Sequence, residues 1–389
     1  MKKSVLFVVD SLNVGGVEKC LLTTLNHLPE DKYDLTVGVV NRTGDFLQFI
    51  PPHVRVVEIN SLHRNQWRWR IDTGIVREML KPSRLGSLFM IPWLRLVSKV
   101  RGTLIPLYSH YVNAHTDDMP EFDVAIAFQG PSQLLDYYVG RVVKARKKLG
   151  WIHFDVDRFF INPKTSAEAC KDFARIFVVS DSALESFRRK VPSLSDRSET
   201  MVNLIDADEI RKSASEFDPF IHKDGVRQIV TVGRIRHQKA QDLAIKAAAI
   251  LRAKGYDFHW TMVGDGCELE NWRAMAATTG VADVVTFAGS KINPYPYMKH
   301  ADIYVQPSRF EGFCLTVGEA KLFGVPIVAT DFMGAREQLS TVENAVIVPE
   351  ITPESIAEGI ERAWNMPKIT PAEPPVPDQI IRLMEELDS

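Results

Sequence analysis

The sequence has few cysteines and no long apolar run, and both absences restrict the class of protein. Four cysteines are spread over 389 residues, and no two of them form a C-x-x-C pair. This pattern excludes a disulfide-stapled scaffold and a cysteine-ligated zinc domain, so we expect reduced thiols in a cytoplasmic protein. No stretch reaches the ~20 consecutive apolar residues that a membrane-spanning helix needs. The short run from Val5 to Val9 ends at Asp10, which favours a buried first strand over a signal peptide.

A strong charge of one sign is also missing. The formal net charge is -2, with 45% hydrophobic and 25% charged residues, which is typical of a globular chain with a sizeable core. The charge balance therefore names no partner. The dinucleotide fingerprint G-x-G-x-x-G is absent as well, which argues against a nicotinamide oxidoreductase. A chain of this length favours two domains over one.

Short apolar segments alternate with longer helical stretches in both halves of the chain. This alternation is typical of parallel sheets covered by helices, so we predict the α/β class with one doubly wound sheet in each half. The predicted domains are 1–200 and 201–368, followed by a proline-rich connector and a last helix at 375–389. The predicted strands are 5–9, 34–40, 54–58, 124–128, 148–153 and 176–179 in the first half, and 228–232, 259–263, 284–288, 303–306, 326–329 and 345–348 in the second.

One stretch, 62–116, breaks this alternation. It holds nine Lys and Arg residues against two acids, a local charge of about +7, with tryptophans such as Trp67, Trp69 and Trp93 interleaved. Basic residues mixed with Trp and Leu suit an anionic membrane surface, which would make the protein peripheral on the inner face of the cell membrane. A solvated helix face with its aromatic residues in the core is the alternative. Nucleic acid is not expected, because no compact recognition motif accompanies the charge.

Two glutamates mark the most informative segment, which runs from Ser308 to Thr330. Glu311 falls in a predicted loop after an apolar strand, and Glu319 falls inside the helix that follows. The loop carboxylate and the helix carboxylate could both reach one pocket and accept hydrogen bonds from the hydroxyl groups of a sugar. The start of the helix favours an anion. In the alternative interpretation, Glu311 is solvated and Glu319 is a polar residue of the first helical turn with no binding role.

Two other strand-to-helix junctions carry features that suit a phosphate. Gly15 and Gly16 follow the first strand and would let backbone amides approach a ligand, or would simply pack the helix on the sheet. Arg234 and Lys239 stand five residues apart after the first strand of the second half. This spacing can point both cations at one diphosphate, although a solvated basic loop has the same composition.

Together these motifs resemble the retaining glycosyltransferases of family four, over nearly the whole chain and in the right order. The resemblance rests on five segments, namely Gly15-Gly16-x-Glu18, Val232-Gly233-Arg234 with Lys239, Gly264-Asp265-Gly266, Phe287-Ala288-Gly289, and the stretch from Ser308 through Glu319. It implies the GT-B fold, with two Rossmann-like domains facing across a cleft and a last helix that packs back on the first domain. The pattern around 123–130 and 151–153 further resembles bacterial surface-polysaccharide transferases, which implies a saccharide acceptor, often lipid-linked.

The resemblance also implies a role for individual residues. Glu319 would bind the ribose hydroxyls, Arg234 and Lys239 would neutralise the diphosphate, and Glu311 would lie beside the donor sugar. Backbone amides around Cys314, Leu315 and Thr316 would complete the cradle, with Gly16 closing it from the other domain and His153 near the reacting centre. Gly334 and Glu337 resemble the family's next loop, but Met333 stands where a second glycine is common.

No metal or other cofactor is required by this interpretation, because the two cations take the place of a metal at the diphosphate. Two D-x-D pairs, at 155–157 and 206–208, match the metal motif of a different glycosyltransferase fold, but Asp206 is better placed to cap a helix. The nucleotide-sugar is then the donor substrate, and it is expected to be a UDP- or GDP-sugar. A nucleotide-sugar epimerase of the same fold and a non-catalytic subunit remain as alternatives.

Overall fold

The computed structural model describes residues 2–59, 62, 85–112, 119–158, 161–371 and 376–389. The chain divides into two compact units, one comprising Met1–Val179 with Leu184–Met201 and the other Ser180–Ala183 with Val202–Ser389. Each unit is a parallel sheet with helices, so the predicted α/β class is confirmed. Part of the stretch 62–116 falls outside the described residues; its described parts are Leu62 and 85–112.

The first unit is built on a seven-stranded sheet in the order β3-β2-β1-β4-β5-β6-β7. Its strands are β1 Lys3–Val9, β2 Tyr33–Val39, β3 Arg55–Glu58, β4 Phe122–Gly130, β5 Ala145–Ile152, β6 Arg175–Val178 and β7 Ser198–Thr200. The described helices are α1 Gly16–His27, α2 Leu85–Arg101, α3 Ile105–Tyr111, α4 Gln133–Arg141, α5 Pro163–Ala169 and α6 Asp181–Lys190. Residues Val5 to Val9 are fully buried, as a central strand covered on both faces requires.

The second unit has a six-stranded sheet in the order β10-β9-β8-β11-β12-β13. Its strands are β8 Arg227–Val232, β9 Phe258–Val263, β10 Val285–Gly289, β11 Ile303–Gln306, β12 Ile327–Thr330 and β13 Ala345–Val348. The described helices are α7 Ala207–Ser213, α8 Gln241–Ala253, α9 Leu269–Thr278, α10 Tyr295–His300, α11 Leu315–Lys321, α12 Ala335–Leu339, α13 Pro353–Ala363 and α14 Val376–Asp388.

Alternate residues of these strands fill two apolar layers. Ile229 and Val305 belong to the layer that contains α8 and α13, whereas their neighbours Val230 and Tyr304 belong to the layer that contains α7, α10 and α11. Successive side chains of a strand point to opposite faces, so a sheet covered on both sides needs apolar residues at every position. This explains why the strands of the second unit are continuous apolar runs.

One strand was missed by the sequence reading. The segment Ser198–Thr200, at the end of the predicted first domain, forms β7 at the edge of the first sheet and pairs in parallel with β6. A three-residue polar strand has no hydrophobic pattern, and only its backbone hydrogen bonds reveal it. The last helix, α14, buries Leu383 and Leu387 completely. That it packs back on the first domain stays a prediction.

Candidate functional site

The predicted phosphate-binding cations lie in the loop that follows β8. Arg234 is exposed, while the stem of Lys239 passes over Gly233, where an added Cβ would meet Lys239 Cδ and Cε at 3.4 Å. A side chain at position 233 would therefore press on the lysine. The Arg234 charge also acts on Lys239 and disfavours its protonated form, which shows that the two cations are close enough to interact. Two cations held together against their own repulsion suit an anionic ligand.

Lys239 and Glu311 form a buried ion pair. The Lys239 Nζ atom lies 2.6 Å from Glu311 Oε1, and the two side chains are only 16% and 7% exposed. Burial alone would lower the pKa of Lys239, but the Glu311 carboxylate outweighs that effect and the pKa of Lys239 is raised. The lysine is thus a fixed cation. Glu311, which the sequence left open as a solvated loop residue, is 6% exposed.

A chain of polar side chains runs from β11 to this ion pair. Ser308 Oγ donates to Glu311 Oε1 at 2.6 Å, and Gln306 Nε2 donates to Ser308 Oγ at 2.8 Å. Gln306 Oε1 in turn accepts from the Tyr304 hydroxyl at 2.8 Å and from Thr316 Oγ1 at 3.1 Å. Gln306 and Ser308 are fully buried, so their hydrogen bonds fix the position of the Glu311 carboxylate. The sequence analysis missed this support, although Gln306 in an otherwise apolar strand is a visible signal.

The loop that carries Glu311 is tied to the loop that carries Lys239. Arg309 makes a two-pronged ion pair with Asp242 of α8, with nitrogen–oxygen distances of 2.8 and 2.6 Å, and also donates to the His237 carbonyl at 2.7 Å. The Arg309 amide donates to the Gln238 carbonyl at 2.8 Å. A planar guanidinium held by a carboxylate fork fixes orientation as well as distance. The two loops therefore form one rigid support.

Helix α11 begins beside this support, as the sequence predicted. Cys314 precedes it with a φ of 66°, an uncommon backbone angle for a residue other than glycine, and Leu315 and Thr316 form the first turn. The first amides of a helix have no partner within the helix and favour an anion. Burial, with the nearby Glu311 charge, raises the pKa of Cys314 to about 12. Its thiol is thus neutral and serves no nucleophilic role in this form.

Glu319 lies on α11, one helical turn or more beyond these amides. It is 3% exposed and accepts a hydrogen bond from the Tyr295 hydroxyl at 3.4 Å. Tyr295 is the first residue of α10, so the two helices meet at this carboxylate. Glu319 is therefore a buried and bonded side chain, and its role at the ribose stays a prediction.

These loops surround the point where the strand order of the second sheet reverses. β8 lies between β9 and β11. From β8 the chain adds β9 and β10 on one side, and it then crosses back to add β11, β12 and β13 on the other side. Arg234 and Lys239 follow β8, and Glu311 and Glu319 follow β11. In open parallel sheets, ligands bind outside the carboxyl ends of the strands at such a switch point. The fold thus brings the four predicted residues to the expected binding edge.

The predicted residues of the first unit lie at the equivalent edge of their own sheet. Gly15 and Gly16 begin α1 after β1, and His153 follows β5 directly. The His153 side chain is 6% exposed and stacks on Trp151 with ring centroids 5.7 Å apart. Gln129 of β4 accepts from the Asp10 amide at 2.6 Å and donates to Glu18 at 3.3 Å. β1 and β4 flank the reversal of strand order in this sheet.

Neither D-x-D pair is arranged as an open carboxylate pair. Asp157 forms ion pairs with Arg189 at 2.5 Å and with Lys190 at 3.5 Å, while Asp155 accepts a hydrogen bond from the Asp157 amide. Asp206 accepts from the Glu209 amide at 2.9 Å and caps α7, as predicted. These contacts give Asp155, Asp157 and Asp206 structural roles.

The fold of the chain is that of known GT-B glycosyltransferases. The structure of Anabaena Alr3699/HepE in complex with UDP and glucose superposes with a TM-score of 0.68 over 93% of this chain and 90% of that chain, at 16% sequence identity. WaaG, a glycosyltransferase involved in lipopolysaccharide biosynthesis, superposes with a TM-score of 0.56 over 99% of this chain and 95% of its own, at 14% identity. The predicted fold class, two Rossmann-like domains of the GT-B type, is confirmed.

The family follows from the sequence of the second unit. Residues 213–373 match the family described as glycosyl transferases group 1. An uncharacterized glycosyltransferase of Haemophilus influenzae is 30% identical over 144 residues, 37% of this chain and 41% of that protein. The alpha-D-kanosaminyltransferase of Streptomyces kanamyceticus is 27% identical over 209 residues, 52% of this chain and 54% of that protein. The chain thus spans about half the length, or less, of the curated relatives it matches. Residues 213–373 are thus similar to group 1 glycosyltransferases, so the predicted resemblance to a glycosyltransferase of the family-four kind is confirmed.

Proposed function

We propose that this protein transfers a hexosyl or amino-hexosyl group from a UDP- or GDP-sugar to a hydroxyl group of a saccharide acceptor, with retention at the anomeric carbon. The observation that carries the proposal is the buried Lys239–Glu311 ion pair beside Arg234, at the switch point of the second sheet. A diphosphate placed there would meet two cations and the first amides of α11. A solvated basic loop would not hold its lysine against a buried carboxylate.

In the proposed reaction, the bond between the anomeric carbon and the diphosphate oxygen breaks as the acceptor oxygen forms its bond on the same face. The electron pair of the broken bond stays on the diphosphate, and the acceptor proton passes to a phosphate oxygen. Arg234 and Lys239 stabilise the charge that develops on the leaving group, usually the largest catalytic term. Glu319 would bind the ribose hydroxyls, Glu311 would lie beside the donor sugar, and His153 near the reacting carbon.

The acceptor class rests on relatives of similar sequence. The lipopolysaccharide core biosynthesis mannosyltransferase LpsB of Rhizobium meliloti is 37% identical over 114 residues, 28% of this chain and 32% of that protein. Its name places it in the biosynthesis of the lipopolysaccharide core. We propose a lipid-linked saccharide acceptor here, so that the reaction contributes to a cell-surface polysaccharide.

A charged and apolar face of α2 supports a place at the membrane surface. Trp93, Leu96 and Val100 are 61%, 54% and 79% exposed. Arg95 and Lys99 are exposed between them, and the helix contains no acidic residue. Such a helix lies in the plane of an anionic lipid surface, with its apolar side chains in the headgroup boundary. No helix in the described ranges has the length and apolar content to cross a membrane.

Product analysis tests the transfer reaction. The protein is incubated with UDP- or GDP-hexoses and a mixture of saccharide and lipid-linked saccharide acceptors, and the released nucleotide and the new glycoside are followed. We expect nucleoside diphosphate release that depends on acceptor and a product with the anomeric configuration of the donor. An inverted product contradicts the retaining mechanism. Conversion of the donor to another sugar without acceptor favours the epimerase, and binding without turnover favours the non-catalytic subunit.

Vesicle sedimentation tests the membrane surface. We expect the protein to bind vesicles containing anionic phosphatidylglycerol and not to bind neutral phosphatidylcholine vesicles. Added salt should release it from the anionic vesicles. The variants Trp93→Ser and Val100→Ser should weaken binding severalfold. Ile221→Ser is the matched control, because Ile221 is 84% exposed but lies in the second unit. Equal binding to both vesicle types, or an equal effect of all three substitutions, contradicts the proposal.

A further inference from the structure

Three side chains of types that can bind a metal lie close together in the second unit, away from the residues of the proposed transfer reaction. His222 Nε2 lies 2.9 Å from Asp218 Oδ2, and His300 Nδ1 lies 3.1 Å from the same oxygen. One ligand atom from each of the three residues lies within 4.8 Å of those of the other two. Two imidazoles and one carboxylate form a donor set that zinc and related divalent transition metals prefer.

The cluster is held in place by its surroundings. Asp218 and His222 belong to the segment between α7 and β8, and His300 is the last residue of α10. Phe217 and Phe220 both contact the Tyr297 ring edge-to-face, with centroids 6.4 and 5.9 Å away. These aromatic contacts dock the segment on α10 independently of the polar cluster. The three ligands are therefore brought together by packing.

The distances suit a small cation. Zinc bound at ~2.0–2.1 Å in a tetrahedral site separates its ligand atoms by about 3.4 Å. The two short contacts of Asp218 would have to open by only a few tenths of an ångström. The side chains of Asp218, His222 and His300 are 38%, 54% and 27% exposed, so water can complete the coordination.

Two cations lie near the cluster. Lys299 directly precedes His300 in the chain, and Lys368 Nζ donates to the Lys299 carbonyl at 3.2 Å. Their charges reduce the affinity for a cation, so moderate binding is expected.

We propose that Asp218, His222 and His300 form a binding site for a zinc-class divalent metal ion that clips the segment before β8 to the end of α10. The site is separate from the proposed transfer reaction. His300 ends α10 just before β11 begins, whereas Tyr295 at the start of α10 contacts Glu319 beyond the other end of β11. The metal would thus act on stability, and the diphosphate would still be held by Arg234 and Lys239.

Zinc titration of the whole, chelator-treated protein tests this site. We expect one bound zinc per chain and a rise in melting temperature on zinc addition. His222→Ala and His300→Ala should each weaken zinc binding at least tenfold. His259→Ala is the matched control, because it removes one imidazole of the same unit outside the cluster, where His259 bonds Thr286.

A second variant separates metal binding from hydrogen bonding. Asp218→Asn keeps an acceptor for the histidines but removes the charge, so we expect little change in stability with chelator present and the loss of the zinc-dependent rise. Zinc binding that is equal in all variants, or absent from the wild-type protein, overturns the proposal. If one variant unfolds without zinc, the other single variants are tested by cobalt absorption instead. Loss of the tetrahedral cobalt spectrum in those variants supports the site, and its retention contradicts the proposal.

Discussion

Lys239 and Glu311 depend on each other for their burial. An ionised side chain taken out of water alone is costly, and a partner that forms a direct hydrogen bond offsets much of that cost. The arrangement keeps a fixed positive charge at the binding edge, with one face still open since Lys239 is 16% exposed. Without the carboxylate, burial and the Arg234 charge would both act to lower the pKa of Lys239.

Removing the Lys239 charge should slow transfer strongly. We expect Lys239→Ala to lower kcat/KM by roughly 30- to 1000-fold, about 2–4 kcal/mol of transition-state stabilisation, because the leaving diphosphate loses one of two cations. Steady-state kinetics measures this. Lys246→Ala is the control, because Lys246 is exposed on α8. Lys239→Met keeps the stem over Gly233 and should lose as much activity; normal turnover in that variant would remove Lys239 from the mechanism.

Cysteine reactivity provides a second test at the residue scale. Cys267 is exposed, whereas Cys314 is buried beside Glu311 and has its pKa raised to about 12. Because the thiolate is the reactive form, we expect iodoacetamide at pH 7.5 to label Cys267 at least a hundredfold faster than Cys314. Peptide mass spectrometry measures both rates, and labelling in denaturant is the control. Similar rates in the folded protein would show that the loop around Cys314 opens readily.

At the scale of elements, close contacts between loops hold the binding edge together. Gly264 follows β9 with a φ of 149°, and an added Cβ there would lie 2.0 Å from the Gly233 carbonyl oxygen. Gly266 has a similar contact with the Ile235 carbonyl, at 2.2 Å. The loop after β9 therefore supports the backbone from which Arg234 projects. Gly264 is required by its backbone angle and by the lack of space, and Gly266 by the lack of space alone.

A glycine substitution should show this contact directly. We expect Gly264→Ala to destabilise the second unit by about 2–5 kcal/mol, since strained backbone costs ~1–2 kcal/mol and overpacking adds ~1–3 kcal/mol. Gly225→Ala is the control, because Gly225 also has a positive φ, 81°, but has no atom within 4 Å of an added Cβ. Urea unfolding measures both. Equal losses in the two variants would mean that the loop moves away at little cost.

At the scale of the whole molecule, nucleotide binding should stabilise the fold. A ligand at about 100 times its dissociation constant adds ~2.7 kcal/mol to the free energy of unfolding. We expect UDP or GDP, and the matching sugar nucleotide, to raise the melting temperature, and ADP to have little effect. Differential scanning fluorimetry measures the shift, and Lys239→Ala should reduce it. A larger shift with ADP than with either other nucleotide would contradict the proposed donor class.

Much of the fold was predictable because parallel strands buried on both faces are continuous apolar runs. The segment 5–9 is of this kind, and 228–232 and 303–306 are mainly apolar; each lies within two residues of its observed bounds. β7 was not predictable, because Ser198–Thr200 is short and polar and is defined by its pairing with β6. The local sequence composition does not indicate such an edge strand.

The sequence by itself determined which chemical groups are present at the ends of the strands. Arg234, Lys239, Glu311 and Glu319 each follow an apolar strand, and that is visible without a structure. Only the tertiary structure decided that Lys239 and Glu311, 72 residues apart, form one ion pair. It likewise brought His300 to Asp218 and His222. The physical reason is that strand and helix signals are local, whereas contact between distant side chains depends on how the strands are ordered in the sheet.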